Sequence, residues 1–197
     1  MPPADRQVEG AVDMMLDATH RFDGELTAER LFSWHASLFP TGRNNRKKII
    51  VGAWRDVSAG TMLIVSNADG RERVHFEAPA AERLDGEMSR FLDWCSADAE
   101  LDPIIRAALA HLWFVTVHPF EDGNGRIGRA ISETLLARSD RTSLRFYAMS
   151  AQIYSQRQRY YEELEKAQKS DLNISAWILW FLACLSQAIR RADRTIA

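Results

Sequence analysis

The chain has 197 residues, 46% hydrophobic and 26% charged, which is apolar material for one sizeable core and a length suited to a single domain spanning 1–197. A net charge of −2 excludes the broadly basic face of a nucleic-acid binder, and two cysteines exclude a disulfide framework. No apolar run reaches the ~18 residues of a membrane span and the N-terminus lacks the regions of a signal peptide, so a cytoplasmic protein without membrane contact is expected.

In chain order, apolar spacing predicts helices over 6–19, 27–39, 80–95, 103–117, 124–138, 149–168 and 173–193, starting near Thr27, Asn124 and Asn173 or Ser175. The first carries Asp5-Arg-Gln-Val-Glu9-Gly10, in which Asp5 is suited to an N-cap. Arg43 to Lys48 is locally basic and reads as a solvated loop or flap edge. Between 46 and 78 the pattern changes to short β-type runs, Ile49–Val51, Thr61–Val65 and Val74–Phe76, with a turn over Asn67–Gly70. Cys95 and Cys184 fall in helices without metal-type spacing and are expected to be reduced core thiols. The near-continuous apolar run Ala107–Phe114 predicts a helix buried on several sides. Tyr160 and Tyr161 are adjacent and so point in different directions, while Gln168 lies two turns beyond Tyr161 on the same face. Tyr160 is assigned to the core. The stripe Trp177, Trp180, Phe181 and Leu185 is also read as core, with a homodimer face as the alternative. The fold class is mainly α: a bundle of about six to eight helices with an inserted β-hairpin.

The chemistry is concentrated in His118-Pro-Phe-Glu-Asp-Gly-Asn-Gly-Arg-Ile-Gly-Arg129. His118 is the side chain in this run able to take a proton near neutrality, which suits a general base on a hydroxyl. Asp122 is a hard oxygen ligand, and one carboxylate plus substrate phosphates is a usual way to hold Mg²⁺. Gly123, Asn124 and Gly125 let backbone amides approach phosphate oxygens, and a helix starting at Asn124 or Gly125 adds its unpaired N–H groups and dipole. Arg126 and Arg129, three apart, occupy neighbouring positions on a helix and suit a polyphosphate. A nucleotide is the ligand these groups share.

Read as H-x-F-x-D-G-N-G-R-x-x-R, the run resembles the signature of the Fic domain family, with all eight defined positions met. Chance agreement is on the order of 10⁻⁹ to 10⁻¹⁰ per start site, so coincidence is not a competing account. The resemblance extends over residues 4–190 and implies a Fic fold, with Phe120 as an inward anchor and 46–78 as the flap that holds the target's hydroxyl-bearing segment by strand pairing. It implies transfer of AMP from ATP to a Ser, Thr or Tyr hydroxyl of a protein, with Mg²⁺ on Asp122 and the phosphates on Gly123 to Arg126 and Arg129. Tyr161 takes the adenine-contacting position. Gln168 stands where family members commonly carry Asn. Some Fic proteins carry an inhibitory helix with [Ser/Thr]-x-x-x-Glu-[Gly/Asn], whose Glu pairs with the second arginine. Residues 4–19 match its Glu9-Gly10 end, with Asp5 in place of Ser or Thr. The alternatives are, within the family, AMP removal, for which Glu9 is needed, and, from another class, a nucleotide-sensing binding module without catalysis.

Overall fold

The computed structural model describes residues 3–44, 47–68, 71–97, 100–144, 147–171 and 173–196. The central layer is a pair of helices, α4 (Pro103–Val117) and α5 (Asn124–Asp140), joined by the loop that carries the motif. Helix α4 starts where Asp102 caps it, its carboxylate accepting from Ile104 and Ile105 N–H at 2.9 and 3.1 Å, with Pro103 in the first turn. Its apolar residues are buried nearly all round, as expected of a central helix. Gly128 lets α5 approach closely: a Cβ there would lie 2.9 Å from Val115 Cγ1.

Helices α1 (Pro3–His20) and α2 (Ala28–Leu38) pair with each other and pack on α5, with Thr27 capping α2 as predicted. Helix α1 begins upstream of Asp5, so that residue is not its boundary. The two helices cross at Gly10, where a Cβ would sit 1.8 Å from the Ser37 carbonyl oxygen, so any larger residue forces them apart. Arg30 and Trp34 both donate to Asp17 at 2.8 Å, tying α2 back to α1. Burial alone would raise the Asp17 carboxyl, but the Arg30 and Trp34 bonds outweigh it and hold the pKa low. Helices α3 (Leu84–Ser96) and α8 (Ser175–Ile196) each pack on α4. Trp177, Trp180, Phe181 and Leu185 are buried, and Trp177 donates to the Ala108 carbonyl at 2.9 Å. The stripe therefore packs in the core, where each such side chain contributes about 1.5–3 kcal/mol. Cys95 and Cys184 are buried free thiols whose pKa burial pushes up to about 12, which leaves them unreactive.

The segment predicted as one helix over 149–168 is two, α6 (Met149–Ser155) and α7 (Arg157–Lys169). Gln156 leaves the helical region at φ −116°, ψ 27°. Side-chain bonds from Gln152 and Gln156 to Gln187 of α8, at 2.9 and 2.5 Å, accompany the break. The β region also differs in detail. Ile49–Val51 is not a strand; Ile49 is a buried core residue, and it is Arg43–Asn44 (β1) and Lys47–Lys48 (β2) that pair. The basic run is thus a small ladder rather than an open loop, although its Asn45 and Arg46 lie outside the described residues. The hairpin is β3 (Leu63–Ala68) and β4 (Arg71–Glu77), antiparallel. Of its predicted turn, Asp69 and Gly70 lie outside the described residues.

Candidate active site

Helix α4 terminates on His118 itself, which adopts the left-handed conformation at φ 52°, ψ 57°. For a residue with a Cβ this costs of order 1–3 kcal/mol, so the surrounding structure must impose it. The His118 carbonyl accepts from Arg55 Nε at 2.9 Å, and the adjoining Pro119 carbonyl accepts from the Arg55 amide at 2.8 Å. His118 Nδ1–H donates to the Val115 carbonyl at 3.1 Å. That bond fixes the tautomer and leaves Nε2 as a proton acceptor. Burial, with the Arg55 charge in addition, lowers the imidazole pKa against the opposing pull of the Val115 bond and Asp122, so the ring is neutral at pH 7.

The far end of the loop is braced from within. The Asn124 side chain closes a ring with Phe120, accepting its N–H at 3.0 Å and donating to its carbonyl at 2.8 Å. Asn124 is buried and its amide group belongs to the loop, so only its backbone faces the phosphate role assigned from sequence. Gly123, at φ 85°, caps α5, which begins at Asn124. Its first amides have no helical acceptor and are free to bind an anion. Asp122 accepts from Gly123 N–H through Oδ1 and from Asn44 Nδ2 through Oδ2. Its carbonyl accepts from His35 Nε2–H at 3.1 Å. His35 is fully buried, lies parallel to the Phe120 ring at 4.1 Å, and has its pKa lowered to about 4 by burial.

These groups open on one cleft of about 1130 Å³ between the hairpin and α7. His118, Asp122, Gly125, Arg129, Tyr161 and Gln168 all line it. Arg129 makes no hydrogen bond or ion pair to another described residue, which leaves its guanidinium open to an anion. Arg126 turns elsewhere: it lies 4.8 Å over the Phe39 ring and 3.9 Å from Asp122 Oδ1, and it lines a groove against α1. The two arginines therefore flank the loop rather than share one wall. Tyr161 is 57% exposed at the cleft, while Tyr160 is buried and donates to His111 Nε2 at 3.1 Å. Gln168 donates to Thr116 Oγ1 at 3.2 Å. No group of three or more His, Cys, Asp or Glu that could cage a metal occurs among the described residues. One carboxylate beside helix-start amides and an open arginine fits Mg²⁺ shared with a nucleotide.

Comparison with known proteins decides the family, because the Fic/DOC family model matches residues 25–136, more than half of the chain. The chain belongs to the Fic/DOC family. Among curated relatives, the protein adenylyltransferase Fic of Nematostella vectensis is 37% identical over 113 residues, 56% of this chain and 25% of that protein. That of Drosophila willistoni is 39% identical over 87 residues, 43% of this chain and 16% of that protein. The chain thus spans a quarter or less of these relatives. A Fic family protein from Desulfovibrio desulfuricans G20 shares the fold with a TM-score of 0.77 at 23% identity, covering 99% of this chain and 55% of the other. A Fic domain containing signaling protein from Bacteroides thetaiotaomicron VPI-5482 does so at 0.69 and 20%, covering 95% and 70%. No helix among the described residues is long and apolar enough to cross a membrane.

In this Fic fold the hairpin lies over the cleft. Its register shifts between Ile64 and Val65, leaving His75 as the extra residue of a bulge, and His75 Nδ1 meets Glu165 Oε2 of α7 at 2.6 Å. Glu9 is exposed on α1 and forms no ion pair with Arg129, while its neighbours Gln7, Val8 and Ala11 line the groove beside Arg126. Sequence reading missed His35, Asn44, Arg55, His75 and His111. None stands in a motif, and their partners lie far away in the chain. The buried His111 is the clearest: its Nδ1–H donates to Ser132 Oγ at 3.0 Å and Ser132 donates to the Gly128 carbonyl at 3.0 Å, so Tyr160 is tied through it to α5. A polar residue amid Ala107–Phe114 was the available signal.

Proposed function

We propose that this Fic protein transfers AMP from ATP to a hydroxyl side chain of a target protein and releases pyrophosphate. The observation that carries the reading is the single cleft in which a base with a free Nε2, a carboxylate, helix-start amides, an open arginine and an exposed tyrosine converge. The names of the curated relatives agree with it.

In this reading His118 Nε2 accepts the hydroxyl proton as the oxygen attacks the α-phosphorus, and the bond from that phosphorus to the β-phosphate oxygen breaks. The Asn124 and Gly125 amides stabilise the charge on the departing pyrophosphate, joined by Arg126 once its side chain turns from the Phe39 ring toward the phosphates. Arg129 holds the γ-phosphate and so fixes which phosphorus faces the hydroxyl. Asp122 is the residue that would hold Mg²⁺, which when bound neutralises phosphate charge. Tyr161 and Gln168 contact adenine. The target segment pairs with an open edge of the β3–β4 hairpin through main-chain hydrogen bonds. On incubation with ATP, pyrophosphate should appear in step with protein-bound AMP; ADP or orthophosphate as the product would exclude the scheme.

Regulation by Glu9 is part of the same proposal. Helix α1 borders Arg126, and a Glu9 carboxylate turned toward Arg129 would compete with phosphate for one guanidinium, which binds either anion in the same geometry. Glu9→Gly is expected to raise self-modification severalfold, and equal rates for variant and parent would remove the switch.

A further inference from the structure

Arg55 has no part in the motif, yet it is buried to 2% exposure beside the base. A guanidinium so far out of water is costly to place and is retained where its fork is used. Here the fork spans two chain segments. Nε donates to the His118 carbonyl at 2.9 Å and Nη2 to the Pro79 carbonyl at 2.5 Å, while the backbone amide holds the Pro119 carbonyl at 2.8 Å. Pro79 follows β4, and Arg55 itself lies on the strand of chain that leads into β3. The Met62 carbonyl and Ala78 amide close the same hairpin base at 3.0 Å. Arg55 therefore ties the segment before the hairpin, to which it belongs, and the segment after it, at Pro79, to the carbonyl of the left-handed residue that carries the imidazole. That carbonyl stands at the C-terminal end of α4, where a cation is favoured by the helix dipole.

We propose that Arg55 is a positioning residue for the transfer step, setting the distance between the His118 base and the hairpin that presents the acceptor hydroxyl. The inference rests on the AMP-transfer reading and adds to it a device that acts on the acceptor side alone. Arg55 is not among the residues lining the nucleotide cleft, so its removal should spare ATP binding. It also places a fixed positive charge near the imidazole, opposite in effect to Asp122. Lysine keeps the charge but cannot bridge two carbonyls with a planar fork.

The test compares Arg55→Lys and Arg55→Gln with the parent chain in three readouts. These are ATP affinity by calorimetry, the rate of self-modification at saturating ATP labelled on the α-phosphorus, and the His118 ring titration by NMR, assigned against His118→Ala. ATP affinity should stay within about twofold in both variants. The transfer rate should fall roughly tenfold to a hundredfold in both, the scale of a small displacement of reacting groups. The His118 midpoint should rise in Arg55→Gln and hold in Arg55→Lys. Parental rates in both variants overturn the assignment, as does a rate that falls only in step with ATP affinity while His118 titrates unchanged. If the parent chain transfers no AMP, the functional reading fails separately, and an unmoved His118 midpoint in Arg55→Gln then overturns the role of Arg55.

Discussion

His118→Ala should abolish AMP transfer while leaving ATP bound. A general base contributes on the order of 10²–10⁴ to rate, and the other imidazoles described around the loop and cleft are engaged: His35 through both nitrogens, by the Asp122 carbonyl and the Gly52 amide, and His75 by Glu165 at 2.6 Å. The His118 ring is hydrogen-bonded to Val115 of its own helix, so its loss should disturb the phosphate site little. Because burial lowers its pKa below the ordinary 6.5, the ring is a base at pH 7, and the acid limb of kcat/KM in the parent should fall below that value. Rate and ATP affinity measured side by side check this, and undiminished transfer by the variant would remove His118 from the chemistry.

Asp122→Asn should be nearly as damaging. The substitution keeps the shape and an oxygen for the Gly123 amide, but removes the charge that would hold Mg²⁺ and the partner of Arg126 at 3.9 Å. Loss of this ligand is expected to lower the rate by roughly 10²–10³, the scale for removing one electrostatic contact to the reacting phosphates. Chelation of divalent ions should lower the parent to a similar level and add little to the variant. Transfer that persists in chelator would contradict the assignment of Asp122.

What could be read from the sequence was local. The motif spans twelve residues, and its helix start at Asn124, the cap at Thr27 and the division of labour between Tyr160 and Tyr161 all follow from neighbours within a few turns. What could not be read depends on partners distant in the chain. His35, Asn44 and Arg55 reach the loop across 87, 78 and 63 residues, and no periodicity encodes such contacts. The break at Gln156 has neither Pro nor Gly to announce it and accompanies a bond to α8. Ile49–Val51 has β-type residues but is drawn into the core, where burial of Ile49 outweighs strand propensity. Asn124 shows the same limit within the motif: its backbone amide could be assigned from its place in the run, but the bracing of Phe120 by its side chain could not.

The most direct measurement is to incubate the chain, and its Glu9→Gly variant, with Mg²⁺ and ATP labelled at either the α- or the γ-phosphorus, and to follow label on the protein. Transfer of AMP predicts label from the α position and none from the γ. Label from γ alone would mean phosphorylation by a reversed nucleotide, and label from neither would contradict the transferase account.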